Sequence, residues 1–164
     1  MTSQRTRRSQ GFSLIELLIV ISIIGIMAAV AIPKLLTFLK QGHETAAIQT
    51  LQQIHKNQAA YFSTKQKFTN LNDLVTAELL GPNYSEGKTV SDYTYTITDL
   101  TKNTFTVHAD RADDKSGDRD FNISEDGEVR QIYAVAKGTV PRGQGVLLTE
   151  EAATEKAAPV PATK

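Results

Sequence analysis

Side chains able to do chemistry fall into three groups in this 164-residue chain. Asp110, Asp113, Asp114, Asp118 and Asp120 crowd one short segment. Their oxygens suit calcium, a hard cation that binds clustered carboxylates, so Asp113, Asp114, Asp118 and Asp120 form a candidate metal set. The spacing matches no EF-hand loop, and Arg111, Lys115 and Arg119 alternate with the acids. A solvated, self-compensated loop is therefore the preferred expectation, and calcium the secondary one. His43, His55 and His108 are scattered. The first two are twelve residues apart, more than three turns of a helix, and cannot share a metal ion. No nucleophile, base and orienting acid fall together, so neither enzymatic activity nor any other cofactor is expected. The third group is a single acid, Glu16, inside the apolar run Gly11 to Pro33, GFSLIELLIVISIIGIMAAVAIP.

That run admits three readings. Residues 17–32 carry no charge and, with Phe12 to Glu16, make a stretch of about 20 residues, the length of a helix that crosses a bilayer. It could be a plain anchor. Alternatively, Arg5, Arg7 and Arg8, the apolar middle and Ala29-Val30-Ala31 compose a signal peptide whose removal releases a soluble binding protein or enzyme. Glu16 counts against both, because an acid inside an inserting helix costs on the order of 2.5–3.5 kcal/mol at the centre, less near the edge. A cut between Gly11 and Phe12 removes the difficulty. It places a new α-amine four residues ahead of Glu16, where the helix dipole also favours an acid.

The basic leader, the run GFSLIELLIVISIIGIMAAVAIP and the long amphipathic segment after it resemble the type IV pilins and type II secretion pseudopilins. The likeness is close from Gly11 to about Phe62 and loose beyond. It implies that a membrane prepilin peptidase cuts after Gly11 and methylates the Phe12 amine, and that Glu16 pairs with this amine on a neighbouring subunit. It also implies that the segment from Gly25 to Pro33 loses helical structure when subunits pack. The protein would span the inner membrane once, with its head outside the cytoplasm, and pass through an assembly platform into a homo-oligomeric filament, extracellular or periplasmic. Gln10 departs from the basic residue usual before the glycine. Of the two families the pilin is expected, since no clear calcium motif marks a pseudopilin. The missing C-terminal disulfide loop argues the other way.

Charge gives no reason to expect nucleic acid as a partner. The formal net charge is zero with 18 basic and 18 acidic residues, and loss of the three leader arginines leaves 15 basic ones. Such a chain offers no basic face to displace counterions from phosphates. The absence of cysteine excludes disulfides and zinc sites built on thiolates.

The elements that position these residues follow from periodicity. Ala47, Ile48, Leu51, Ile54, Tyr61 and Phe62 recur at helical spacing, so the helix continues past Pro33 with one apolar stripe. Gly42 is a possible bend. A turn over Phe68–Leu74 should lead to a short helix through Ala77 to Leu80, closed by Gly81-Pro82. Four strands follow, around Tyr93–Thr98, Phe105–Ala109, Phe121–Ile123 and Val129–Tyr133, the last two joined by the hairpin signal Asp126-Gly127. The expected fold is α+β: a long N-terminal helix on a small antiparallel sheet of about four strands, a lollipop. The boundaries are 1–11 leader, 12–39 apolar helix half, 40–148 amphipathic helix half and globular head, and 149–164 disordered tail.

Overall fold

The computed structural model describes residues 12–133 and 145–148, and contacts divide the chain into two compact units that meet between Phe38 and Leu39. The expected leader and tail lie outside the described residues. So does Gly11.

The first unit is the apolar part of helix α1, which is assigned over Leu14–Lys65. Helical structure runs through both Gly25 and Pro33. Ser22 Oγ donates to the Leu18 carbonyl at 2.7 Å and Thr37 Oγ1 to the Pro33 carbonyl at 3.3 Å. These hydroxyls thereby turn back onto the helix and leave its surface apolar. The large side chains from Phe12 to Leu39 are between 46% (Val20) and 83% (Leu14) exposed. By length and composition this is a helix able to cross a membrane.

In the second unit α1 turns amphipathic. Glu44, Ala47, Leu51, Ile54 and Gln58 are buried along one stripe at intervals of three and four. The helix ends where Gln66 enters the left-handed region (φ 56°), its amide still reaching the Phe62 carbonyl at 2.8 Å. Helix α2, Leu71–Thr76, starts at Asn70, whose side chain accepts the Asp73 amide at 2.8 Å.

This corrects the expected helix at Ala77–Leu80. The Asn70 cap starts the helix earlier, Glu78 is left-handed (φ 59°), and the Leu79 and Leu80 amides fold back to the Leu74 carbonyl. Pro82 then opens a single 3₁₀ turn, Pro82–Tyr84.

Among the described residues six antiparallel strands follow in sequence order: β1 Thr89–Val90, β2 Tyr93–Thr98, β3 Thr106–Arg111, β4 Arg119–Ser124, β5 Val129–Tyr133 and β6 Val146–Leu147. The four expected strands are β2 to β5. The two added edge strands have two residues each, too few to show an alternation. Gly127 (φ 78°) makes the β4–β5 turn, with its amide on the Ser124 carbonyl at 3.0 Å and Ile123 opposite Val129.

Tyr93, Tyr95, Phe105, Val107, Ala109, Phe121 and Ile123 form a core with Leu51 and Ile54 of α1 and Leu71 and Leu74 of α2. The alternate positions of β3 and β4 are buried as well, although they are polar: Thr106, His108, Asn122 and Ser124.

Candidate functional site

Glu16 stands in the first turn of α1, and its Oε2 accepts the backbone amide of Ser13 at 3.1 Å. This is one half of a capping box, in which a Glu three residues into a helix satisfies the amide of the capping Ser. The partner that the apolar run requires thus comes first from the chain itself. Ser13-Leu14-Ile15-Glu16 spells the pattern that could have revealed it. Among the described residues the other carboxylate oxygen, Oε1, has no hydrogen bond and is open to a second donor. Phe12 beside it is 79% exposed.

Gly25 and Pro33 lie within the same exposed apolar surface. A Cβ built at Gly25 would meet nothing within 4 Å, so no contact among the described residues requires glycine there. Pro33 lacks an amide proton and cannot serve the carbonyl of Ala29.

The aspartates are drawn into separate tasks. Asp113 Oδ1 accepts the Lys115 amide, the Ser116 amide and the Ser116 hydroxyl at 2.8–2.9 Å. The Ser116 hydroxyl foremost, then the Lys115 amide, holds its carboxyl below the ordinary carboxylate range. Asp114 is nearly fully exposed, 3.7 Å from Arg111 Nη2. Asp118 accepts Lys40 Nζ at 2.6 Å, while Asp120 is buried on β4 and accepts the Arg111 amide at 2.9 Å. Among the described residues no three His, Cys, Asp or Glu side chains are grouped to hold a metal ion. The histidines are apart: His43 on Asp92 (3.0 Å), His55 beside the Glu125 carbonyl (3.4 Å), and His108 on Thr98 (2.7 Å).

What sequence reasoning missed is the clamp on this loop. Glu44, buried on α1, accepts the Asp118 and Arg119 amides with Oε1 (2.8 and 3.2 Å) and the Arg119 guanidinium with Oε2 (2.7 and 2.9 Å). Arg119 also donates to Gln131 at 2.7 Å, and the Tyr93 hydroxyl donates to the Arg119 carbonyl at 2.7 Å. Burial, then the charges of Glu44 and Asp120, raise the Tyr93 phenol far above its ordinary range. Gly117 lets the loop approach: a Cβ there would run into the Tyr93 hydroxyl and lie 3.1 Å from Glu44 Cγ. The only sequence signal was an acid placed within the apolar stripe.

An exposed apolar helix with a capping glutamate in its first turn, together with an α+β unit, is consistent with a pilin-like fold. The model for the prokaryotic N-terminal methylation motif matches residues 6–32. The chain is 40% identical over 63 residues to the type IV major pilin protein PilA of Myxococcus xanthus, covering 38% of this chain and 29% of that protein. It is 44% identical over 64 residues to the type IV wide pilus major component PilA4 of Thermus thermophilus, covering 39% of this chain and 49% of the relative. The matched part thus spans less than half of either relative. The motif and these two relatives support a place in the type IV pilin family, and the apolar helix fits membrane insertion.

Proposed function

We propose that this chain is a structural subunit of a type IV pilus-like filament, held in the inner membrane by residues 12–39 and then packed by that helix into the filament core. The observation that carries the reading is the exposed apolar surface of α1 with one carboxylate at its start. Side chains of this kind contribute roughly 1.5–3 kcal/mol each when fully withdrawn from water, so such a surface requires lipid or further copies of itself.

Glu16 adds direction. Cleavage after Gly11 gives Phe12 an α-amine, which the peptidase methylates. The open Glu16 oxygen then attracts the amine of an adjoining subunit where water screens little. The Ser13 amide keeps the carboxylate partly satisfied during insertion, and the second charge arrives on assembly. Gly25 and Pro33 weaken the helix by about 1 kcal/mol and about 3 kcal/mol relative to alanine, which suits a segment that unwinds when subunits pack. The names of the two relatives favour a pilin over a type II secretion pseudopilin.

The test combines N-terminal mass spectrometry with filament counts by electron microscopy. The mature chain should begin with N-methyl-Phe12. Glu16→Leu should enter the membrane and be cut normally while filament yield falls at least about tenfold. A mature terminus at Ile32 would show instead a secreted soluble protein, and normal filaments from Glu16→Leu would remove the role given to Glu16.

A further inference from the structure

The second unit carries a group of lysines near one end of its part of α1 and an aspartate-bearing loop near the other. At the Lys65 end, Lys65, Gln66, Lys67, Phe68, Leu100 and Lys102 line an open hollow of about 420 Å³. Two features build it. Gln66 turns the chain off the helix, and the Phe68 amide donates to the Lys102 carbonyl at 3.3 Å, which draws the β2–β3 loop alongside. Phe68 is half-buried and Leu100 exposed, so the floor is apolar and the rim cationic. None of the three lysines forms an ion pair among the described residues.

At the other end the loop after β3 lies against Glu44 and Lys40 and presents Asp113, Asp114 and Asp118, all exposed. Glu44 and Lys65 are 21 residues apart on one helix, about 32 Å at ~1.5 Å per residue. The two faces therefore cannot meet within one molecule.

We propose that the lysine-rimmed hollow receives the Asp113–Asp118 loop of a second copy, so that subunits dock head to tail through their second units. This rests on the filament reading above. The occupant follows from charge complementarity. Three lysines with no ion pair among the described residues suit the carboxylates of a loop that the Glu44–Arg119 clamp anchors, and preorganisation lowers the cost of docking. Each such contact leaves one free hollow and one free loop, and a heterologous contact of this kind propagates instead of closing.

The chain has no cysteine, which makes cross-linking unambiguous. Lys102→Cys with Asp114→Cys, both at exposed positions, is introduced into the full chain and sheared filaments are treated with a short bis-maleimide. The expected result is a ladder of dimers, trimers and longer species, with each single variant remaining monomeric. Monomers only, from double-variant filaments of normal number, would overturn the interface and leave the filament reading intact. A wild-type chain that forms no filaments would overturn that reading and this face with it. As a second arm, Lys102→Glu or Asp114→Lys alone should lower filament yield at least about fivefold, and the two together should restore it. Unchanged yield from both single variants would refute the contact even if the cysteine variants failed to fold.

Discussion

At the scale of residues, Glu44 shows how burial converts an ordinary helix acid into a structural centre. Its carboxylate is 5% exposed and the Arg119 side chain 18%. A buried pair of this kind adds little over an apolar substitute, yet losing one partner strands the other and costs roughly 3–5 kcal/mol. Glu44→Ala is expected to lower the stability of the second unit by about 3 kcal/mol, read from the denaturant midpoint. A loss under about 1 kcal/mol would mean that water replaces the carboxylate.

The two buried tyrosines set a further limit in alkali. Burial pushes the Tyr95 phenol up to about 12, from about 10 in an unfolded chain, and Tyr93 moves in the same direction. Above pH about 10 the unfolded chain releases protons that the folded one retains, so stability falls between about pH 10 and 12. Tyrosinate absorbance and circular dichroism should therefore change together in that window. Early titration of all five tyrosines with the fold intact would contradict the burial described.

At the scale of elements, α2 shows what was legible and what was not. The long helix, the four main strands and the Asp126-Gly127 hairpin could be read from period and turn chemistry, because each repeats its signal several times. The six residues of α2 do not, and its position depends on one cap, Asn70. Leu79 and Leu80 continue an apolar pattern but belong to the turn that follows. The edge strands β1 and β6 exist through pairing alone, Val90 with Tyr93 and Gln131 with Val146. The buried polar positions of β3 and β4 were equally hidden, since Thr106, His108, Asn122 and Ser124 alternate as a solvated face would. Of the candidate site, the place of Glu16 in the first turn of α1 could be read because it is local, while the roles given to Phe12 and Glu16 belong to the proposal. The Glu44 clamp could not, because its partners lie more than seventy residues away in sequence.

Removing the cap tests this account of α2. Asn70→Ala should cost about 1 kcal/mol and lower the melting temperature by about 4–8 °C, whereas Asn70→Asp should retain most of the stability. A change of less than a degree for Asn70→Ala would show that Leu71 and Leu74 hold the helix without the cap.

At the scale of the whole molecule, each unit has its own means of staying folded. The first, residues 12–38, apart from the Ala29 carbonyl that Pro33 cannot serve, pairs its backbone within a helix and its Ser22 and Thr37 hydroxyls with that helix's own carbonyls, as suits a segment in lipid. Among the described residues the second unit contains the whole hydrophobic core, from Ala47 to Val129, together with the Glu44 clamp. A chain of residues 39–148 is therefore expected to be soluble, monomeric and cooperatively folded, with the Tyr93 and Tyr95 environments intact. Light scattering, dispersed amide spectra and a single thermal transition are the measurements. Adding calcium to the same sample examines the aspartate loop. With Asp113 engaged by Ser116, Asp118 by Lys40 and Asp120 by the Arg111 amide, the melting temperature should hold within about a degree at millimolar calcium, whereas an ion bound at 100 times its Kd would add about 2.7 kcal/mol. A rise of several degrees would return Asp113, Asp114, Asp118 and Asp120 to the standing of a metal site. An aggregated or molten product would show that the second unit depends on the apolar helix or on neighbouring copies, and that the division at Phe38 is not one of folding.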